Sequence, residues 1–271
     1  MELVFYNGKY IKKEDVNIST DNRSFKFGDG FFETIKIINS KVINFSIHFE
    51  RIKFSVDILR FKIDYSSTFF LEKINFLIKK NNILYGSCKI HISRNDDGKY
   101  LPKKNNIDIF ISTTHGSNYA ENKAISLCVY NTDYKAIGSL SNLKSSNSLI
   151  YILAAIYAYE NNFDNAILLN NSMNVIEASN SNIFLVNEGQ IYTPPLNDGC
   201  VNGIMRQWVS NQLDIHEKSL SIDDILQAQE IFLSNTIDGF ISVKNIDNKF
   251  FTKFYISRDI QKKLINSNLD S

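Results

Sequence analysis

The strongest constraint on the fold lies in the second half of the chain, where apolar runs of strand length follow one another with almost nothing between them. "NAILLNN", "VIEASNSNIFLVN" and "QIYTPP" are separated by only a few residues. Parallel neighbours need a crossover of a dozen or more residues, so runs this close read as a meander. "EIFLSNTIDGFISVKNIDNKFF" reads as a hairpin that bends near Asp238 and Gly239. A strongly apolar helix, "SNSLIYILAAIYAYENN", precedes the meander, and "AISLCVYN" reads as a strand before it. "SIDDILQAQ" is a short helix whose Ser221 and Asp224 have capping-box spacing. A last helix follows the hairpin.

The first half has the same mixture in a different order. A hairpin turns at Asn7-Gly8 and a second near Asn39-Ser40. The period then changes: Ile47, Ile52, Val56 and Leu59 recur at helical spacing, with Ser46 as the expected cap. "SSTFFLEKINFLIKKNN" reads as a second amphipathic helix, and "GSCKIHISR" and "NIDIFISTT" as strands. Around "THGSNYAENK" the pattern loosens. The chain is expected to form two α+β domains, 1–118 and 119–271.

Composition narrows the function class. The 30 basic and 29 acidic residues leave a net charge of +1, and Lys and Arg are dispersed along the chain. A nucleic-acid binder needs a clustered basic face, so none is expected. No stretch approaches the ~20 apolar residues of a membrane span, and the first residues lack the pattern of a secretory signal. Cys88, Cys128 and Cys200 have no zinc or redox spacing, and His48, His91, His115 and His216 are not paired. The expectation is a cytoplasmic protein with reduced thiols, no metal and a small-molecule ligand. "FGDGF" supplies Gly28 and Gly30 but no third glycine, so it reads as a sharp turn into a strand, not a dinucleotide loop.

Four features carry chemistry. Lys144 lies in "SNLKSSNSL", just before the apolar helix. A lysine amine near a core can lose its charge and form covalent links to carbonyl groups. Taken alone, Lys144 reads as a solvated loop residue. Glu177, in "NVIEASNSNIF", is flanked by strand-like apolar residues; taken alone it reads either as a strand-end residue facing solvent or as a carboxylate that needs a partner, such as a cationic ring nitrogen. Arg51, in "HFER", falls on the polar side of a helix and taken alone reads as a surface residue. In "VNGIMRQW" a helix is expected to open at Asn202 with no acidic residue in its first turn. Such a start favours an anionic ligand.

In order and context, these residues resemble the fold type IV pyridoxal-phosphate enzymes, a family of branched-chain aminotransferases, D-amino-acid aminotransferases and 4-amino-4-deoxychorismate lyases. The likeness runs from "DNRSFKFGDGFFETI" through "HFER", "LKSSN", "VIEASNSNIFLV" and "YTPPL" to "VNGIMRQW" and "FLSNT". It implies a smaller N-terminal lobe and a larger C-terminal lobe with a mixed, barrel-like sheet, pyridoxal 5'-phosphate between the two, and a homodimer. By resemblance, Lys144 carries the cofactor and shuttles the proton, and Glu177 pairs with the pyridine nitrogen. Arg51, Thr236 and the backbone N–H groups of Ile204 and Met205 hold the phosphate, and Asn147 lies near the phenolic oxygen.

Within the family, "NGIMR" resembles the lyase branch, because branched-chain enzymes carry Gly-Ile-Thr-Arg there and Met205 offers no hydroxyl. Leu149 stands where the branched-chain enzymes tend to have a tyrosine. "ISRNDDGKY" resembles the lyase stretch that binds the substrate carboxylate, which points to Arg94, with Lys99 as the nearest second base. "FETI", in contrast, is common among the aminotransferases. The expected activity is a lyase that yields 4-aminobenzoate and pyruvate for folate synthesis. An aminotransferase of branched-chain or D-amino-acid type is the alternative.

Overall fold

The computed structural model describes residues 2–267. They divide into two compact units. The first runs through Asn118 and also takes in Lys144–Asn147; the second comprises Tyr119–Leu143 and the chain from Ser148 onward. A single cut at 118/119 assigns Lys144–Asn147 to the second domain, whereas these four residues pack with the first. Met1 and 268–271, the outer ends of the two expected domains, lie outside the described residues.

In the first unit, β1 (Leu3–Tyr6) turns into β2 (Lys9–Lys12) through Asn7 and Gly8, both at positive φ (47° and 87°). That is the primed turn whose twist suits an antiparallel pair. The short helix α1 (Arg23–Phe27) starts where the Asn22 side chain accepts from the Phe25 N–H and stops at Gly28, at φ 69°. No apolar periodicity marks this five-residue helix in the sequence. Next come β3 (Gly30–Ile38) and β4 (Lys41–Val42), joined by Asn39 and Ser40 at φ 51° and 60°. The helices α2 (Phe45–Ile58) and α3 (Ser67–Lys80) lead to β5 (Gly86–Arg94) and β6 (Ile107–His115). The strands form one sheet in the order β2-β1-β6-β5-β3-β4, with every pair antiparallel. α3 buries Phe70, Ile74, Leu77 and Ile78, one helical stripe, against this sheet. α2 does not begin at a Ser46 cap: it is preceded by Asn44 in the left-handed region, and no side chain caps it.

The second unit holds the closely spaced strands. Its elements are β7 (Ala124–Lys135), α4 (Leu149–Glu160), β8 (Asn165–Asn170), β9 (Val175–Ala178), β10 (Asn182–Asn187) and β11 (Gln190–Thr193). Then come α5 (Ile204–Ser210), β12 (Ile215–Glu217), α6 (Ile222–Gln227), β13 (Glu230–Asn235), β14 (Gly239–Ile246), β15 (Lys249–Phe250) and α7 (Tyr255–Ser267). The sheet is mixed, in the order β12-β11-β10-β13-β14-β7-β8-β9, with β15 on β14. The closely spaced strands are not one meander: β8 pairs with β9 and β10 with β11, whereas β10 turns away from β9 to pair with β13. The β11–β12, β14–β7 and β7–β8 pairs are parallel, and α4 supplies the crossover between β7 and β8. β8 is buried at every position, as expected of a strand covered on both faces. α6 carries the expected capping box between Ser221 and Asp224. Among the described residues no helix is long and apolar enough to cross a membrane.

Candidate active site

The Gly-Asp-Gly turn holds the lysine segment. The Phe32 N–H donates to the Lys144 carbonyl at 3.1 Å, and the Ser146 N–H to the Gly30 carbonyl at 2.9 Å. Lys144–Asn147 thus lies along the first residues of β3 like a short extra strand. The approach is close: a Cβ on Gly30 would stand 2.8 Å from the Ile92 carbonyl oxygen and 3.0 Å from Ser146 Oγ, and one on Gly28 3.1 Å from Asn147 Cβ. Lys144 Nζ sits 4.6 Å from the centroid of the Phe32 ring, a cation–π contact. Asn147 is exposed, and its carbonyl accepts from Ser145 Oγ at 3.2 Å.

Arg51 is buried, not on the surface. His48 and Arg51 are three residues apart on α2, hence on one face. Both meet Glu33, which projects from β3. Arg51 donates from Nε to Glu33 Oε1 and from Nη2 to Oε2, each at 2.7 Å, and His48 Nδ1 lies 2.5 Å from Oε2. Burial pushes the Glu33 carboxyl up, but the Arg51 charge and the hydrogen bonds outweigh it and hold the pKa at about 2. His48 is shifted down, first by burial, with the Arg51 and Lys144 charges adding to the shift. An ionised Glu33 can only accept, so Nδ1 carries the His48 proton. The opposite nitrogen, Nε2, is buried without a hydrogen-bond partner.

In the second unit Glu177 is buried on β9 and surrounded by donors. Lys135 Nζ is 2.6 Å from Oε1, the Tyr151 hydroxyl donates to the same oxygen at 2.8 Å, and the Val201 N–H donates to Oε2 at 2.9 Å. Glu177 therefore has a cationic partner within the chain, and its burial alone does not call for a ring nitrogen. Neither Lys135 nor Tyr151 was legible as part of the site. Lys135 lies in the polar stretch after the "AISLCVYN" run, and its pairing with Glu177 depends on an irregular strand.

α5 begins at Ile204, two residues later than expected, with Gly203 in the N-cap position. No side chain caps it, and no acidic residue stands in its first turn. Gly203 is required by a neighbour: a Cβ there would fall 1.9 Å from Asn182 Oδ1. Ile204 and Met205 are both buried. Thr236 sits in the turn between β13 and β14, and its carbonyl accepts from the Tyr119 hydroxyl at 3.2 Å.

Arg94 differs from its expected role. Its guanidinium is buried and used within the first unit: Nε donates to Asp29 Oδ2 at 3.0 Å, Nη1 to Asn105 Oδ1 at 3.0 Å and Nη2 to the Leu59 carbonyl at 2.7 Å. It is a structural residue, not a waiting carboxylate binder. Arg23 shares Asp29 and donates to the Lys99 and Tyr100 carbonyls, pinning that loop by its backbone while the Lys99 side chain stays exposed.

Comparison with known proteins agrees with this architecture. The family model for amino-transferase class IV matches residues 30–246. The D-alanine aminotransferase of Staphylococcus epidermidis is 28% identical over 259 residues, covering 92% of this chain and 90% of that protein. A putative 4-amino-4-deoxychorismate lyase from Legionella pneumophila superposes with a TM-score of 0.86 at 27% identity, covering 94% of this chain and 97% of that one. The branched-chain aminotransferase of Escherichia coli superposes with a TM-score of 0.89 at 22% identity, covering 98% and 93%. The fold is thus that of the fold type IV enzymes, and the chain belongs to the class IV aminotransferases, a pyridoxal-phosphate-dependent family.

Proposed function

We propose that this enzyme is a 4-amino-4-deoxychorismate lyase, releasing 4-aminobenzoate and pyruvate. The observation that carries the reading is Met205, buried in the first turn of α5, where it offers no hydroxyl to a phosphate and completes the "NGIMR" stretch of the lyase branch. The likeness to the Legionella protein supports the same reading. The 28% identity to D-alanine aminotransferase favours a second one, amino transfer from a small D-amino acid.

The donor set fits pyridoxal phosphate. An aldehyde needs an amine, which Lys144 offers. A phosphate needs N–H donors and positive charge. By its chemistry the start of α5, with no side-chain cap and no acid, would supply the N–H donors and Thr236 a hydroxyl; Arg51, which shares its charge with Glu33, would supply the positive charge. A pyridine nitrogen needs a carboxylate, and Glu177 is one. When bound, the cofactor supplies an electron sink for the carbon that bears the substrate amine. Lys144 Nζ would take the proton from that carbon and pass it to the departing enolpyruvyl group, which leaves as pyruvate while the ring becomes aromatic; the Phe32 face and the β3 hydrogen bonds limit the freedom of the amine. Glu177 would keep a proton on the ring nitrogen through Oε2, the oxygen that among the described residues accepts from the Val201 N–H alone. Asn147, beside the lysine, serves the phenolic oxygen. The exposed Lys99 attracts the carboxylates of an anionic substrate. The working form is a homodimer.

The purified enzyme, loaded with cofactor and given aminodeoxychorismate, is expected to yield 4-aminobenzoate and pyruvate in equal amounts. Lys144→Ala should lower the rate by about 10²–10⁴-fold, the range for loss of a positioned base. Amino transfer from D-alanine to a 2-oxo acid, without 4-aminobenzoate, would overturn the lyase reading in favour of the second.

A further inference from the structure

The neighbours of Glu177 extend the reading of that residue as the partner of the ring nitrogen. β7 and β8 pair in register up to Tyr130 and Leu168, and pairing resumes at Lys135 and Asn170. Five steps along β7 thus match two along β8, so β7 bulges and returns to the sheet with Lys135. On the other side of β8, Leu168 pairs with Glu177. The bulge therefore delivers an ammonium across β8 to a buried carboxylate. Bulges commonly serve to re-aim a side chain beside a site.

Tyr151, from the first turn of α4, closes the group. Lys135 Nζ donates to its oxygen at 2.5 Å, and the hydroxyl donates onward to Glu177 Oε1 at 2.8 Å. Burial, reinforced by the Glu177 charge, drives the Tyr151 hydroxyl pKa far up, so it remains a donor at any working pH. A carboxylate offers about four lone-pair sites. Lys135 and Tyr151 occupy both on Oε1, and the Val201 N–H takes one on Oε2. One acceptor site remains, on Oε2.

We propose that Lys135 and Tyr151 are positioning residues that fix Glu177 with Oε2 presented to the ring nitrogen, and that the Lys135 charge lowers the proton affinity of the cofactor held there. A carboxylate paired at 2.6 Å with an ammonium acts on its surroundings as a dipole, not as a bare anion. The ring then keeps its proton less tightly than it would beside an unpaired glutamate. This inference rests on the assignment of Glu177 to the ring nitrogen.

The test is a pH titration of the visible absorbance of the cofactor-loaded enzyme. Lys135→Gln keeps a donor and removes the charge. It is expected to move the titration midpoint up by about one unit, a tenfold gain in proton affinity, as for loss of a nearby positive charge. Lys135→Arg should return the midpoint towards that of the parent. Tyr151→Phe should move it in the same direction as Lys135→Gln, by less, and provides the reading if Lys135→Gln does not fold. An unchanged midpoint in Lys135→Gln (or in Tyr151→Phe, where that variant stands in) overturns the inference, while a shift in Glu177→Gln leaves the Glu177 assignment standing. An unchanged titration in Glu177→Gln overturns that assignment and the inference with it.

Discussion

At the scale of the residue, Glu33 shows how one buried carboxylate organises its surroundings. Two N–H groups of Arg51 and one of His48 replace the water it has lost. The folded pKa of about 2 lies below the ordinary 4.5, so the stabilisation is complete above 4.5 and is lost as pH falls towards 2. His48 adds in the same sense. Its pKa is depressed from 6.5, so acidification below that value favours the unfolded chain, which takes up the proton more readily. Glu33→Gln would leave the Arg51 charge buried and unmatched by Glu33, at a cost of about 3–5 kcal/mol near neutral pH. Denaturant midpoints measured across pH should fall steeply for the parent below 4.5 and run flatter for the variant. A variant that keeps the parent's acid slope would rule out Glu33 as the titrating group. The "HFER" spacing was visible in the sequence, as was the acid in "FFETI". Their pairing was not, because the partners lie 18 residues apart on different elements and nothing local marks Arg51 as buried.

Elements were legible where local chemistry decided them. The primed turns at Asn7-Gly8 and Asn39-Ser40, the α3 stripe and the α6 capping box all follow from neighbouring residues. Helix starts without a capping side chain were misplaced. α2 begins after a left-handed Asn44 and α5 after Gly203, and neither conformation has a donor–acceptor signature in sequence. The Gly-Asp-Gly stretch read correctly as a turn into a strand, but its purpose depends on a segment more than a hundred residues away. Gly30 has no side chain because the Ile92 carbonyl of β5 and Ser146 of the lysine segment close on that position together. β3 cannot retreat, since it pairs with β5 from Gly30 onward. Gly30→Ala should therefore displace the lysine segment, costing about 1–3 kcal/mol of stability. Turnover should fall by about 10²-fold, as expected when a reacting group moves by roughly an ångström. Steady-state kinetics beside thermal unfolding would check this, and parent-like turnover would show that the berth does not set the lysine's position.

For the whole molecule, α4 raises the question of assembly. Its sequence is apolar on every side, which in isolation reads as a helix sunk in a core. In the structure it buries Ala154 and Ala158, while Leu149, Ile152, Leu153 and Ile156 remain 67%, 52%, 46% and 46% exposed. These four recur at i, i+3, i+4 and i+7, so they form one stripe, the pattern of a helix face that meets another surface. Periodicity could not reveal this, because a face covered by the chain's own core and a face covered by a second copy carry the same residues. A second copy suits the stripe, since a self-complementary apolar face closes into a two-fold dimer without leaving further surface open. Ile152→Glu combined with Ile156→Glu would place two charges in that contact. The parent is expected to sediment as a dimer and the double variant as a monomer with a retained circular dichroism spectrum. A monomeric parent, or a variant that stays dimeric, would assign the stripe some other partner. If activity falls with the dimer while Lys144 still takes up the cofactor, the second copy completes the substrate site and does more than stabilise the first.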